Sequence, residues 1–208
     1  MNLRAVLRHA WAKPLLWGFL LLPFAFLVLG IFQQDLGPNP AEYLIRSTGE
    51  LTLRMLCLTL LITPLRVQLS LPELAQFRRG LGLLTFFYAF MHALCYSLLD
   101  MEWAWDDIVK DIWKRPFILV GVLCFVLLSL LAGTSFNRAV KAMGAHRWRQ
   151  LHQAVYVIAG LAILHFFWMR SGKKNYDDVM VYAAILGLLL GWRLWRKWQT
   201  WQAAKIKP

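Results

Sequence analysis

The sequence predicts an all-α fold: a polytopic membrane bundle of six transmembrane helices, formed by a single domain over residues 1–208. The chain is 59% hydrophobic and only 16% charged, whereas soluble domains carry about 25% charged residues. Its apolar residues form six continuous runs close to the length of about 20 residues that a transmembrane helix needs. The runs do not alternate as the strands of a membrane barrel do, and helices are the other way to satisfy backbone polar groups in lipid.

The six predicted helices are separated by short polar segments with turn residues, such as residues 37–40 and 171–175. In chain order, the helices cover residues 14–32, 48–66, 80–99, 116–135, 150–169 and 178–195. Arg4, Arg8 and Lys13 precede the first run, as in a signal peptide, but no small-residue cleavage site follows it. We therefore expect the first run to be retained as a membrane helix.

The distribution of charge predicts the orientation of the bundle. If the N-terminus is cytoplasmic, 15 of the 23 basic residues lie on the cytoplasmic side, together with only one acidic residue, Glu73, of the 11. Cytoplasmic segments of membrane proteins carry an excess of Lys and Arg. Both termini are therefore predicted to be cytoplasmic, with the tryptophans of the C-terminal segment in the aromatic belt beside the membrane.

The net charge of +12 does not indicate a nucleic-acid partner, because the basic residues lie between apolar runs rather than on one patch. Membrane lipid is the expected partner of these basic segments. The three cysteines, Cys57, Cys95 and Cys124, lie in separate apolar runs without a C-x-x-C motif. They are interpreted as packing residues rather than as ligands of zinc or attachment points for haem.

Three histidines lie in the predicted spans: His92 in the third, and His152 and His165 in the fifth. An ionisable residue at membrane depth is costly and indicates a functional site, although a lone histidine is more often structural. Both spans run outward. His92 lies 13 residues beyond Arg79, and His165 lies 13 residues beyond His152, which is about 20 Å along each helix. His92 and His165 are therefore predicted to lie level, in the outer half of the bilayer.

Two imidazoles at one height on facing helices can supply both axial ligands of a b-type haem iron. At the inner level, His152 is predicted to face Arg78 or Arg79, which stay protonated and do not normally ligate iron. These arginines, and Arg54, can instead bind haem propionates. The alternatives are a positive-inside anchor for Arg78 and Arg79 and a pair with Glu50 for Arg54.

The number of haems stays open between one and two. His152 and His165 are about 140° apart around an ideal helix, so they need not face the same groove. No Gly-rich phosphate loop is present in the sequence. An electron donor is therefore expected to come from outside the chain.

The chain resembles the MsrQ (YedZ) family of haem-binding membrane subunits, which belongs with ferric-reductase-like transmembrane domains. The matching segments are residues 58–65 (LTLLITPL), residues 78–82 (RRGLG) leading to His92, and residues 147–152 (RWRQLH) leading to His165. Related domains usually carry two histidines on each of two helices. This chain matches at three of these positions and departs at the fourth, near Arg78 or Arg79.

The resemblance implies a bacterial inner-membrane subunit for electron transport. It would carry electrons through b-type haem to a periplasmic molybdopterin subunit that reduces methionine sulfoxide in oxidised proteins. The implied donors are the quinone pool or a cytosolic flavin reductase, and FMN is a further cofactor associated with the family. The subunit itself would not reduce methionine sulfoxide.

Two other functions fit some of the same residues. A cofactor-free membrane scaffold or assembly factor would use the helices as docking surfaces and keep the histidines in interhelical hydrogen bonds. A transporter would use His and Arg in a pathway, but transporters often show repeats and broken helices, which the sequence does not.

Overall fold

The computed structural model describes residues 3–172 and 174–206, and over these residues the chain is helical without strands. Lys173, in the polar segment 171–175, and Lys207, in the C-terminal segment, lie outside the described residues. The α-helices are α1 (Leu3–Arg8), α2 (Ala12–Gln33), α3 (Pro40–Gln68), α4 (Arg78–Cys95), α5 (Trp105–Lys114), α6 (Pro116–Gly133), α7 (Asn137–His152), α8 (Ala154–Ser171) and α9 (Asp177–Ile206). A 3₁₀ segment (Pro72–Phe77) precedes α4, and a π-helical segment (Tyr96–Asp100) follows it.

Within the described part of the chain, five helical segments are long and apolar enough to cross a membrane. They are Ala12–Gln33, Pro72–Asp100, Pro116–Gly133, Asn137–Ser171 and Asp177–Lys205. The remaining long helix, α3, contains the second predicted span, but it begins eight residues before that span and carries Glu42, Arg46, Glu50 and Arg54 in its first half. The structure therefore supports five candidate spans directly, and a sixth rests on α3.

Beyond small shifts of the helix ends, three features differ from the sequence prediction. A turn at Gln153 ends α7 at His152, so that His152 and His165 belong to two consecutive helices rather than one. The segment before it is also helical, with a break at Gly144, whose φ of 74° suits glycine. The acidic segment between the third and fourth predicted spans contains a helix, α5, whose Ile108 is buried and whose Trp105 and Trp113 are exposed.

The centre of the bundle is formed by α3, α4, α6 and α8. Leu56 and Leu60 of α3 pack with Ile158 and Ala159 of α8 in the largest buried cluster, to which α6 and α9 also contribute. The hydroxyls of Thr59 on α3 and Thr85 on α4 lie 3.2 Å apart and share a hydrogen bond. These contacts fix the helix pairs α3–α4 and α6–α8, which carry the predicted site.

Helix α2 joins this centre through two contacts with α4. The Trp17 indole packs directly on Gly80 of α4, where a β-carbon would lie 1.7 Å from the ring. Farther along α2, the carbonyl of Leu20 accepts a 2.7 Å hydrogen bond from the fully buried hydroxyl of Tyr88. Helix α4 therefore has a glycine where the Trp17 ring of α2 packs against it.

Candidate functional site

His92 on α4 and His165 on α8 lie side by side, with ring centres 6.2 Å apart and ring planes at 83°. The sequence predicted that these histidines would be level, and the structure confirms that arrangement. His92 Nδ1 lies 2.8 Å from the carbonyl oxygen of Ile45, and His165 Nδ1 lies 2.6 Å from that of Phe117. A carbonyl oxygen can only accept, so each Nδ1 carries the proton and each Nε2 keeps its lone pair.

Each of the two rings also packs against a glycine. A β-carbon on Gly49 of α3 would lie 3.2 Å from the His92 ring, and one on Gly121 of α6 would lie 2.9 Å from the His165 ring. Gly49 follows Ile45 by four residues, and Gly121 follows Phe117 by four residues. Residues four apart share one helix face, so each ring meets a carbonyl and a glycine on the same face of its neighbour.

The histidine pair fits a haem iron in spacing and in protonation. A metal–imidazole nitrogen bond is about 2 Å long, and the nitrogen lies about 1.2 Å from the ring centre, given ring bonds near 1.35 Å. Two imidazoles on opposite sides of one iron thus have centres about 6.4 Å apart, close to the 6.2 Å found here. Phe86 and Phe90 of α4 and Phe125 of α6 form an aromatic group between two of the helices that hold the pair, and such flat apolar groups suit a macrocycle.

Clusters that would suit other metals are not found in the described residues, where no three His, Cys, Asp or Glu side chains gather around one point. The pair of neutral imidazoles is therefore the candidate ligand set in the described residues. Inside a membrane this pair needs no charge, because both N–H groups are donated to backbone carbonyls.

His152 does not join this pair. Its ring stacks on Trp148 with centres 4.0 Å apart, and its Nε2 lies 3.2 Å from the Thr134 hydroxyl. The Trp148 indole N–H donates to the carbonyl of Thr134 at 2.9 Å. Thr134 thus joins the end of α6 to the end of α7, and His152 occupies a second site at the opposite end of α8 from His165.

Arg78 and Arg79 lie near this second site, as the sequence predicted. Both act electrostatically on His152. Arg79 donates to Asn137 at 2.8 Å, while both side chains remain largely exposed. Arg193 of α9, which the sequence reasoning missed, donates to the carbonyl of Leu60 and lies 5.8 Å from the centre of the Tyr156 ring. We call Arg78, Arg79, His152 and Arg193 the inner basic cluster.

Arg54 belongs to a different group. It pairs with Glu50 at 3.3 Å and donates to the Tyr182 hydroxyl at 3.1 Å, which is the alternative that the sequence offered. The buried Arg170 of α8 reaches Asp178 at 3.0 Å and Glu50 at 3.9 Å. These side chains link α3, α8 and α9, so Arg54 has partners other than a propionate.

The sequence analysis missed the two glycines and the buried arginine. Glycine inside a helix is less favourable than alanine by about 1 kcal/mol, so a glycine in a helical run indicates close packing or a functional need. Gly49 and Gly121 carry that signal. Nothing local distinguishes Arg170 from Arg54, because burial depends on which helices surround each one.

Comparison with known proteins identifies the class. Residues 48–163 match the family described as ferric reductase like transmembrane component. The matched range includes His92 and His152 and ends two residues before His165. No solved structure matches the chain.

The chain is similar to several proteins named protein-methionine-sulfoxide reductase heme-binding subunit MsrQ. The relative from Polaromonas naphthalenivorans is 58% identical over 188 residues, covering 90% of this chain and 86% of the relative. That from Ralstonia nicotianae is 46% identical over 86% of this chain and 82% of its own. That from Bordetella pertussis is 43% identical over 93% of both chains. The chain therefore belongs to the MsrQ family of ferric-reductase-like transmembrane proteins, and it is a multi-pass membrane protein.

Proposed function

We propose that this chain is the electron-transfer subunit of a methionine sulfoxide reductase system in the bacterial inner membrane, and that His92 and His165 hold a b-type haem. The observation that carries the proposal is the 6.2 Å spacing of two rings whose Nδ1 atoms are both committed to carbonyls. When bound, the haem supplies an iron that accepts and releases one electron at a time. The relatives named as heme-binding subunits support the same cofactor.

The residues around the two histidines would then hold and orient these haem ligands and would not themselves be oxidised or reduced. The Ile45 and Phe117 carbonyls keep the protons on Nδ1 and raise the basicity of each Nε2. The apolar surroundings exclude water and leave the histidines neutral, since an unpaired charge at this depth is costly. The chain as a whole acts as one domain over residues 1–208.

At the other end of the bundle, we propose that the inner basic cluster binds an anionic group. His152 would ligate or assist a second haem, with Arg78 or Arg79 on its propionates. FMN phosphate is the other anion of suitable chemistry. Electrons would enter on this side from the quinone pool or a cytosolic flavin reductase. They would leave to a periplasmic molybdopterin methionine sulfoxide reductase.

We also propose that the chain has six spans with both termini cytoplasmic. The additional span, second in chain order, is α3. This topology places Asn39 outside and Ser70 inside, and both residues are exposed. Cysteines introduced at these positions should react differently with a membrane-impermeant maleimide added to spheroplasts: Asn39→Cys is labelled and Ser70→Cys is not. Equal labelling of both would contradict the sixth span.

The haem assignment is tested by a reduced-minus-oxidised absorption spectrum of the purified protein, with haem quantified per chain. A b-type spectrum is expected from the wild type. The haem that His92 and His165 hold should be lost in His92→Ala and in His165→Ala, so that the haem per chain falls by one in each variant. His146→Ala is the matched control, because His146 is exposed on α7, and it should keep the wild-type ratio.

The number of haems per chain, measured in the wild type and in His152→Ala, separates the two proposals for the inner basic cluster, a second haem and FMN phosphate. Two haems per chain, falling to one in His152→Ala, would support a second haem. One haem per chain, unchanged in His152→Ala, would leave His152 to another ligand. A colourless wild type, expressed with ample haem, would overturn the haem proposal and favour the scaffold function.

A further inference from the structure

The two rings are held in the same way by two different helix pairs. On α3 the carbonyl of Ile45 and Gly49 hold the His92 ring, and on α6 the carbonyl of Phe117 and Gly121 hold the His165 ring. The hydrogen bond fixes one atom of each ring, and the glycine surface lies against its Nδ1–Cε1 edge. Together they limit rotation of the ring about the hydrogen bond.

We propose that Gly49 and Gly121 are positioning residues that set the planes of the two axial imidazoles. The inference rests on the proposed haem function and goes one step further. The 83° between the ring planes follows from where the two glycines allow each ring to lie. Each glycine acts through the histidine ring that it supports.

The distances predict that the two glycines are unequally sensitive. A β-carbon at Gly121 would approach the Cε1 and Nδ1 atoms of His165 to 2.9 Å, which real contacts almost never reach, so the ring or the helix must shift. A β-carbon at Gly49 would lie 3.2 Å from His92, which a shift of a few tenths of an ångström relieves. The His165 ring also has the shorter hydrogen bond, 2.6 Å against 2.8 Å, so it has less freedom to move.

Electron paramagnetic resonance of the oxidised full-length protein tests the proposal, because the g values of a low-spin haem depend on the angle between its axial imidazole planes. The largest g value and the midpoint potential should shift in Gly121→Ala and shift less in Gly49→Ala. Gly133→Ala is the matched control on α6, since a β-carbon there meets nothing within 4 Å. It should keep the wild-type g values and potential.

Wild-type g values and potential in both Gly121→Ala and Gly49→Ala would overturn the inference. Should Gly121→Ala fail to fold, Gly49→Ala tests the inference by itself with the same readouts. If Gly121→Ala loses its haem, the g values and potential of Gly49→Ala against those of Gly133→Ala decide in the same way. A wild type without a b-type spectrum would contradict the proposed function itself, which separates that failure from this one.

Discussion

Replacing the buried Arg170 should destabilise the bundle more than replacing the exposed Arg54, although both arginines contact Glu50. The Arg170 side chain is 11% exposed and its partner Asp178 is 55% exposed. Breaking a fully buried ion pair costs about 3–5 kcal/mol. Because water can reach Asp178, we expect a loss of unfolding free energy at the low end of that range. The Nε of Arg170 has no hydrogen-bond partner, and methionine has no donor to leave unsatisfied, so the substitution also removes a small cost and lowers the loss further.

We therefore expect Arg170→Met to lower the free energy of unfolding by about 2 kcal/mol. Part of the loss comes from the guanidinium group over the Phe166 ring, at 5.4 Å from its centre. Arg54→Met is the matched control. Its side chain is 55% exposed and an i, i+4 pair is worth about 0.5 kcal/mol, so we expect a loss of about 1 kcal/mol with the Tyr182 hydrogen bond included.

The assay is reversible unfolding of both variants in one detergent, followed by far-ultraviolet circular dichroism. A double-mutant cycle of Arg170→Met with Asp178→Asn isolates the pair. A loss for Arg170→Met no larger than that for Arg54→Met would refute the reasoning, because it would mean that burial of the α8 arginine adds nothing to the interface with α9.

Three further outcomes are expected. Gly80→Ala should separate α2 from α4 and lower the melting temperature, because its β-carbon would overlap the Trp17 ring at 1.7 Å, whereas Gly18→Ala, with open space around it, should not. Trp148→Phe removes the 2.9 Å hydrogen bond to the Thr134 carbonyl and should cost about 1 kcal/mol; an unchanged melting temperature would show that this bond does not hold α7 to α6. Burial alone would raise the pKa of Asp111, but hydrogen bonds from Arg115 and Tyr96 outweigh it and hold that pKa below its usual value. The stability from Asp111 is therefore present above about pH 4 and lost as the pH falls through the folded-state pKa. Thermal unfolding from pH 7 to pH 3 should show the advantage of wild type over Asp111→Asn shrinking at the acid end.

The level of His92 and His165 could be predicted from the sequence because it depends only on rise per residue. Counting 13 residues from Arg79 to His92 and from His152 to His165 gives the depth of each ring, and equal depth was enough to predict that the two rings are level. The extent of most membrane helices was predictable for a similar reason, since continuous apolar runs have one stable form in lipid.

Rotation about a helix axis, short turns and a short amphipathic helix were not predictable from the sequence, and the remaining errors follow from these three. Whether Arg54 or Arg170 is buried depends on which face α9 covers. The place of His152 depended on the turn at Gln153, which a count along one ideal helix cannot include. The helix α5 was missed because its charged residues conceal a short apolar face that includes Ile108.

The arrangement of charge around the histidines follows from the same geometry. Gly49 and Glu50 are adjacent in sequence, yet they lie about 100° apart around α3. Gly49 faces His92, and Glu50 faces the arginines at the interface with α8 and α9. Backbone carbonyls can therefore satisfy both imidazoles while the charged side chains pair with one another on another face. A carboxylate as the partner of either Nδ1 would bring a charge into the apolar site, where desolvation is expensive, so a carbonyl–glycine pair is a better support for a neutral ligand at this depth.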